Sequence, residues 1–212
     1  MTSKERNLSR LWDSSDLKCS GCGYALAPSN VECPRCGNAI TVTSFNSVYA
    51  QDLPTLNKLS RTLDKDLRDG TSPELNSNIK FTLGGCYLKL KLYDKALQRF
   101  EEAIEENFDN PEASFYAAVS LLKGKKAFLT PMANIKKAIE YVNAALMVED
   151  RGVFHYFLSY IKFDFYARKY LRISPDWQEE LILAQANNLS PTDCEMLFDI
   201  LGVEPPKELE VF

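Results

Sequence analysis

The sequence predicts a mainly α-helical protein with a small metal-binding module near its N-terminal end. Three observations carry that expectation. Four of the six cysteines stand in two CxxC pairs, Cys19 with Cys22 and Cys33 with Cys36. From Asp52 onward, apolar residues recur at helical spacing, and hydroxyl–proline pairs that start helices recur with them. Outside the cysteine module, no stretch shows the alternating pattern of a strand.

Composition sets the bounds. A chain of 212 residues makes one ordinary domain, or one domain with a small module attached. With 45% hydrophobic and 25% charged residues it has the makings of a buried core, which excludes a disordered tail, a collagen or a disulfide-dense toxin. A net charge of −4 argues against a general binder of nucleic acid or anionic membrane, since both need an excess of Lys and Arg. The opening MTSKERNLSR has no apolar run behind its charges, so no secretory signal is expected. The longest apolar stretch, Val153 to Leu171, is interrupted by His155, Lys162, Asp164, Arg168 and Lys169. A membrane span wants about 20 mostly uncharged residues, so no membrane insertion is expected. The expected location is cytoplasmic, where thiols stay reduced and clustered cysteines point to metal.

The chain divides into four parts. Residues 1–18 are polar and read as a mobile N-terminal segment. Residues 19–44 hold the paired cysteines, residues 45–51 read as a linker, and residues 52–212 as one all-α domain.

Each cysteine pair is followed by glycine, Gly23 and Gly37, and ten residues separate the pairs. A CxxCG turn aims two sulfurs at one ion while backbone N–H groups approach the thiolates, and glycine tolerates the tight backbone that this needs. Two such turns make a closed tetrahedral site of Cys19, Cys22, Cys33 and Cys36 for one structural Zn²⁺, with no open position for substrate. In so short a module the metal supplies the folding energy. A redox dithiol would need a single CxxC opening a helix in a βαβ setting, which is lacking here. The segment is similar to the short bacterial-type zinc ribbons, with Leu26, Pro28, Val31 and Ile40 at the apolar and turn positions of that pattern. Residues 1–44 balance five Lys/Arg against four Asp/Glu, which disfavours nucleic acid as the ribbon's partner.

The remaining cysteines, Cys86 and Cys194, fall at apolar positions of helical patterns and read as core. His155 is the only histidine, so any Ser-His-Asp or Cys-His chemistry would pass through it. It shares a stripe with Ser159, Lys162, Tyr166 and Lys169, which reads as the polar face of a buried helix. No phosphate loop, dinucleotide fingerprint or HExxH motif is present. The expectation is a non-enzymatic protein.

In the helical part, Leu56, Leu59, Leu63 and Leu67 form one apolar stripe, with Gly70 placed to end the helix. Ser72-Pro73, Thr130-Pro131, Ser174-Pro175 and Ser190-Pro191 each offer a capping hydroxyl and a proline at the first helical position. Within residues 78–110, the spacing of Leu83, Gly84, Tyr87, Tyr93, Ala96, Phe100 and Ala103 resembles the 34-residue tetratricopeptide (TPR) repeat. Lys80 stands where that family has an aromatic, and Phe108 where it has the closing proline. A second copy begins at Glu112, with Ala117, Ala118 and Leu121 on one helix and Ala138, Val142 and Ala145 on the next. An insertion within residues 123–134 lies between them. A third unit starts at Gly152 and pairs an aromatic-rich helix with one after Pro175.

The resemblance implies stacked helix pairs whose first helices line a groove for a protein or peptide partner. Carried over position by position, that face holds Phe81, Leu88, Lys89, Phe115, Tyr116 and Lys123. The expected protein is a zinc-containing adaptor. The alternative is a nucleic-acid-associated factor whose ribbon touches RNA or DNA. An enzyme would require polar groups converging on His155.

Overall fold

The structure is a computed structural model and describes residues 34–37, 52–69 and 73–210. Among the described residues there are eight α-helices and no strand. They fall into two compact units, divided between Phe108 and Asp109.

The first unit holds α1 (Leu53–Asp69), α2 (Pro73–Lys89) and α3 (Tyr93–Glu106). Asp52 caps α1 by accepting from the Thr55 N–H at 2.8 Å. Leu56, Leu59 and Leu63 are buried as the stripe requires, while Leu67 is half-buried. Helices α2 and α3 form a tight antiparallel pair. The turn between them places Lys91 in the left-handed region, with φ 59°, and returns the Leu92 N–H to the Tyr87 carbonyl at 2.8 Å. The pair closes over small side chains. A Cβ on Gly84 would sit 2.6 Å from the Phe100 ring, and Ala96 and Ala103 are buried beside it. Asp64 on α1 ties all three helices, accepting from the Tyr87 hydroxyl at 2.8 Å and from Arg99 at 3.2 Å.

The second unit begins with α4 (Pro111–Leu121), capped by Asn110, whose side chain accepts from the N–H groups of Glu112 and Ala113. Every residue from Ala113 to Leu121 is buried, the condition of a helix that is apolar all round. Helix α5 (Met132–Val148) packs antiparallel on α4 through Ile135, Ala138, Val142 and Ala145. Between them the insertion turns at Lys123 and Gly124, both with positive φ, and makes one 3₁₀ turn, Ala127–Leu129.

Helix α6 (Gly152–Ile161) is buried along its whole length and runs on into a π turn, Lys162–Tyr166, and a 3₁₀ turn, Ala167–Lys169. Helix α7 (Trp177–Ala186) packs back on α6. A Cβ on Gly152 would lie 2.6 Å from the Ala184 carbonyl oxygen, so glycine is required at this approach. Helix α8 (Pro191–Leu201) and a 3₁₀ turn at Lys207–Leu209 complete the unit. The Tyr156 hydroxyl holds that last turn by donating to the Leu209 carbonyl at 3.0 Å. No helix among the described residues is long and apolar enough to cross a membrane.

Candidate functional site

Of the expected zinc ligands, Cys36 lies within the described residues; Cys19, Cys22 and Cys33 lie outside them. Pro34, Arg35 and Cys36 form a turn, and Gly37 follows at φ +72°, the left-handed conformation that glycine takes without strain. That is the backbone a CxxCG turn needs after its second cysteine.

The groove residues are distributed differently from a surface that awaits a partner. Phe81 and Leu88 on α2, and Phe115 and Tyr116 on α4, are buried, with Tyr116 fully enclosed. Lys89 is half-buried and Lys123 exposed. The cause lies in the neighbouring aromatics. Phe81 packs on Phe100 with ring centroids 5.8 Å apart. Phe115 packs on Phe154 at 4.8 Å and on Phe157 at 5.5 Å, both from α6. In the second unit the aromatic-rich helix of the third pair thus covers the part of the face around Phe115, while in the first unit Phe81 packs on its own helix pair, and these side chains serve as core.

Polar groups do converge on His155. Its Nδ1 lies 2.6 Å from Glu180 Oε2 and its Nε2 lies 3.0 Å from Asp150 Oδ1. The other oxygen of Glu180 accepts from Lys162 Nζ at 2.6 Å, and both of those side chains are only 4% exposed. A carboxylate at each ring nitrogen favours the doubly protonated, positively charged imidazole. The hydrogen bond to Glu180 raises the His155 pKa, against the opposing effect of burial. Burial alone would raise the Glu180 carboxyl, but the bonds from His155 and Lys162 outweigh it and hold the group below its usual value. The arrangement locks α6 to α7, and Ser159 adds a bond by donating to the Trp177 carbonyl at 2.7 Å.

A second, half-buried ionic group joins the N-terminal ends of α4 and α6. Arg151 donates to Glu112 at 3.1 Å, while the other Glu112 oxygen has no hydrogen-bond partner. Burial pushes the Glu112 pKa up to about 7, with Arg151 opposing the rise. Helical spacing put His155 and Lys162 on one stripe but gave no sign of Glu180 or of the Glu112–Arg151 pair, whose partners come from separate helices. Cys86 is buried and Cys194 half-buried, and burial raises both thiols to about 12. That pKa keeps them as thiols.

Comparison of the chain with protein-family models, curated proteins and solved structures returns no match.

Proposed function

We propose that this chain is a non-enzymatic, zinc-containing cytoplasmic adaptor, in which an N-terminal Cys₄ ribbon accompanies TPR-like helix pairs that bind another protein. The observation that carries the reading is the succession of antiparallel helix pairs, α2 with α3, α4 with α5 and α6 with α7, closed over small side chains. Each pair is the unit from which helical repeat proteins are built, and such proteins act by presenting surface rather than by chemistry. Both nitrogens of the only histidine are held by carboxylates, which supports a structural role for it. The double CxxCG pattern supports one structural zinc per chain. Since Phe115 and Tyr116 are core, the partner surface is sought on the exposed insertion that begins at Lys123 and on the ribbon.

The test is co-purification with the intact chain and with a chain lacking residues 1–44, read by mass spectrometry and repeated over a salt series. A protein partner retained after nuclease treatment is the expected result. Recovery of RNA or DNA alone, lost steeply with salt, would favour the nucleic-acid reading instead.

A further inference from the structure

Charge is unevenly placed along this chain. Residues 113–172 hold ten Lys/Arg against four Asp/Glu, although the whole chain carries −4. Part of that excess is gathered on one face of the second unit. The insertion brings Lys126 and Phe128 against the turn that follows α6, with the exposed Lys125 next to them in the chain. There Arg168 lies over the Phe128 ring at 4.7 Å, and Lys169 lies over Phe128 at 4.8 Å and over Phe165 at 3.7 Å. Asp164 holds the two segments together, accepting from the Phe128 N–H at 2.7 Å and from Arg168. Next in the chain come Tyr170, left-handed at φ 57° and 96% exposed, then Leu171 and Arg172, both exposed. Leu129, 66% exposed, adds an aliphatic side chain from the insertion. Fixed cations interleaved with exposed apolar groups are the makings of a recognition surface.

The chain's own C-terminal segment shows which chemistry this face accommodates. Glu204, Pro205, Pro206 and Glu208 lie opposite Lys126 and Arg168 across a cleft of about 340 Å³. The segment is anchored by Leu209, which is fully buried. An acidic stretch with an apolar anchor is therefore already seated at the edge of the cationic face. Single-stranded nucleic acid fits less well, because the Phe128 and Phe165 rings on which bases would stack are covered by Arg168 and Lys169.

We propose that the face formed by Lys125, Lys126, Arg168, Lys169, Leu129 and Tyr170 docks an acidic peptide segment of a protein partner, with apolar side chains spaced between the carboxylates. This rests on the adaptor reading and gives it a surface and a class of partner. Carboxylates meet Lys125, Lys126 and Lys169, and an apolar side chain packs on Tyr170 and Leu129.

The test measures binding of the full chain to four probes: a short labelled peptide of Glu and Leu, its counterpart with Lys for Glu, labelled oligouridine, and phosphatidylserine-containing vesicles. The expected result is selective binding of the acidic peptide. Lys125→Glu with Lys126→Glu should weaken it about tenfold or more. Tyr170→Ala should weaken it about threefold or more. Neither variant should shift the melting temperature, since all three side chains are exposed. No binding of the acidic peptide, equal binding by the double variant at unchanged Tm, or tighter binding of oligouridine or vesicles would each overturn the proposal. A protein that co-purifies equally with the wild-type chain and the double variant also overturns this face, while leaving the adaptor reading intact. Absence of any protein partner from both chains overturns the adaptor reading itself.

Discussion

At the scale of single residues, the difference between core and surface decides what each substitution does. Phe115 sits among Tyr116, Phe154 and Phe157, so Phe115→Ala should cost about 3–5 kcal/mol, measured by urea or thermal unfolding. Lys123→Ala, on the exposed insertion, should stay within about 0.5 kcal/mol. The two ionic groups give stability a pH dependence of definite sign. His155 binds its proton more tightly folded than unfolded, so its contribution is complete below the unfolded pKa of 6.5 and is lost as pH rises through the higher folded value. Glu112, raised from 4.5 to about 7, also binds a proton more tightly when folded, so stability falls as pH rises between those values. Glu180 acts oppositely: its contribution is present above 4.5 and is lost as pH falls through its lower folded value. The chain should therefore be most stable on the acid side of neutrality. In denaturation curves taken across pH, Glu112→Gln should flatten the fall between about 4.5 and 7, and His155→Gln the fall above 6.5. A stability that rises steadily from pH 5 to 8 in the wild-type chain would contradict both assignments.

At the scale of helices, the hydroxyl–proline signals were unequal guides. Pro73 opens α2, and Ser190 caps α8 in a capping box with Asp193. Thr130 does not cap α5: the helix starts at Met132, and the Thr130 hydroxyl donates instead to the Lys126 carbonyl at 3.2 Å. Ser174 does not cap α7 either. Asp176 does, accepting from the N–H groups of Gln178 and Glu179, while Glu179 accepts from the Asp176 N–H. A capping acceptor must stand two or three residues before the N–H it serves, and near Pro175 both Ser174 and Asp176 are close enough for sequence to leave the choice open. Asp176→Ala and Ser190→Ala should each cost about 1 kcal/mol, whereas Ser174→Ala should be close to neutral. Chemical denaturation of the three variants tests this directly. The crossing of α2 and α3 was more legible, because a glycine spaced against a phenylalanine has few other uses. A Gly84→Ala variant must displace the Phe100 ring, so it should destabilise by about 1–3 kcal/mol.

At the scale of the whole chain, the proposed zinc module and the helical part should respond separately to metal removal. The purified protein should contain close to one zinc, and Cys33→Ser should remove most of it, as read by elemental analysis. Chelation should leave the helical circular dichroism of residues 52–210 nearly unchanged, since those helices bury aromatic and aliphatic cores that owe nothing to metal. Loss of most of the helical signal would instead make the ribbon integral to the helical core.

The sequence by itself determined that the described residues from 52 onward are mainly helical, that two of the helix pairs pack through small side chains, and where the two cysteine pairs stand. Those properties depend on local spacing: a 3.6-residue stripe, a glycine beneath a ring, a CxxCG turn. Tertiary structure decided the fate of the expected groove. Phe115 is covered by Phe154 and Phe157 of a helix some forty residues further along the chain, and Phe81 by Phe100 of its own pair. It also decided that His155 and Lys162 are met by the carboxylates of Glu180 and Asp150 in a lock between α6 and α7, and that Lys126, Arg168 and Lys169 come together around Phe128. Which side chains meet across separate helices depends on how those helices pack, and no periodicity within a single helix encodes that.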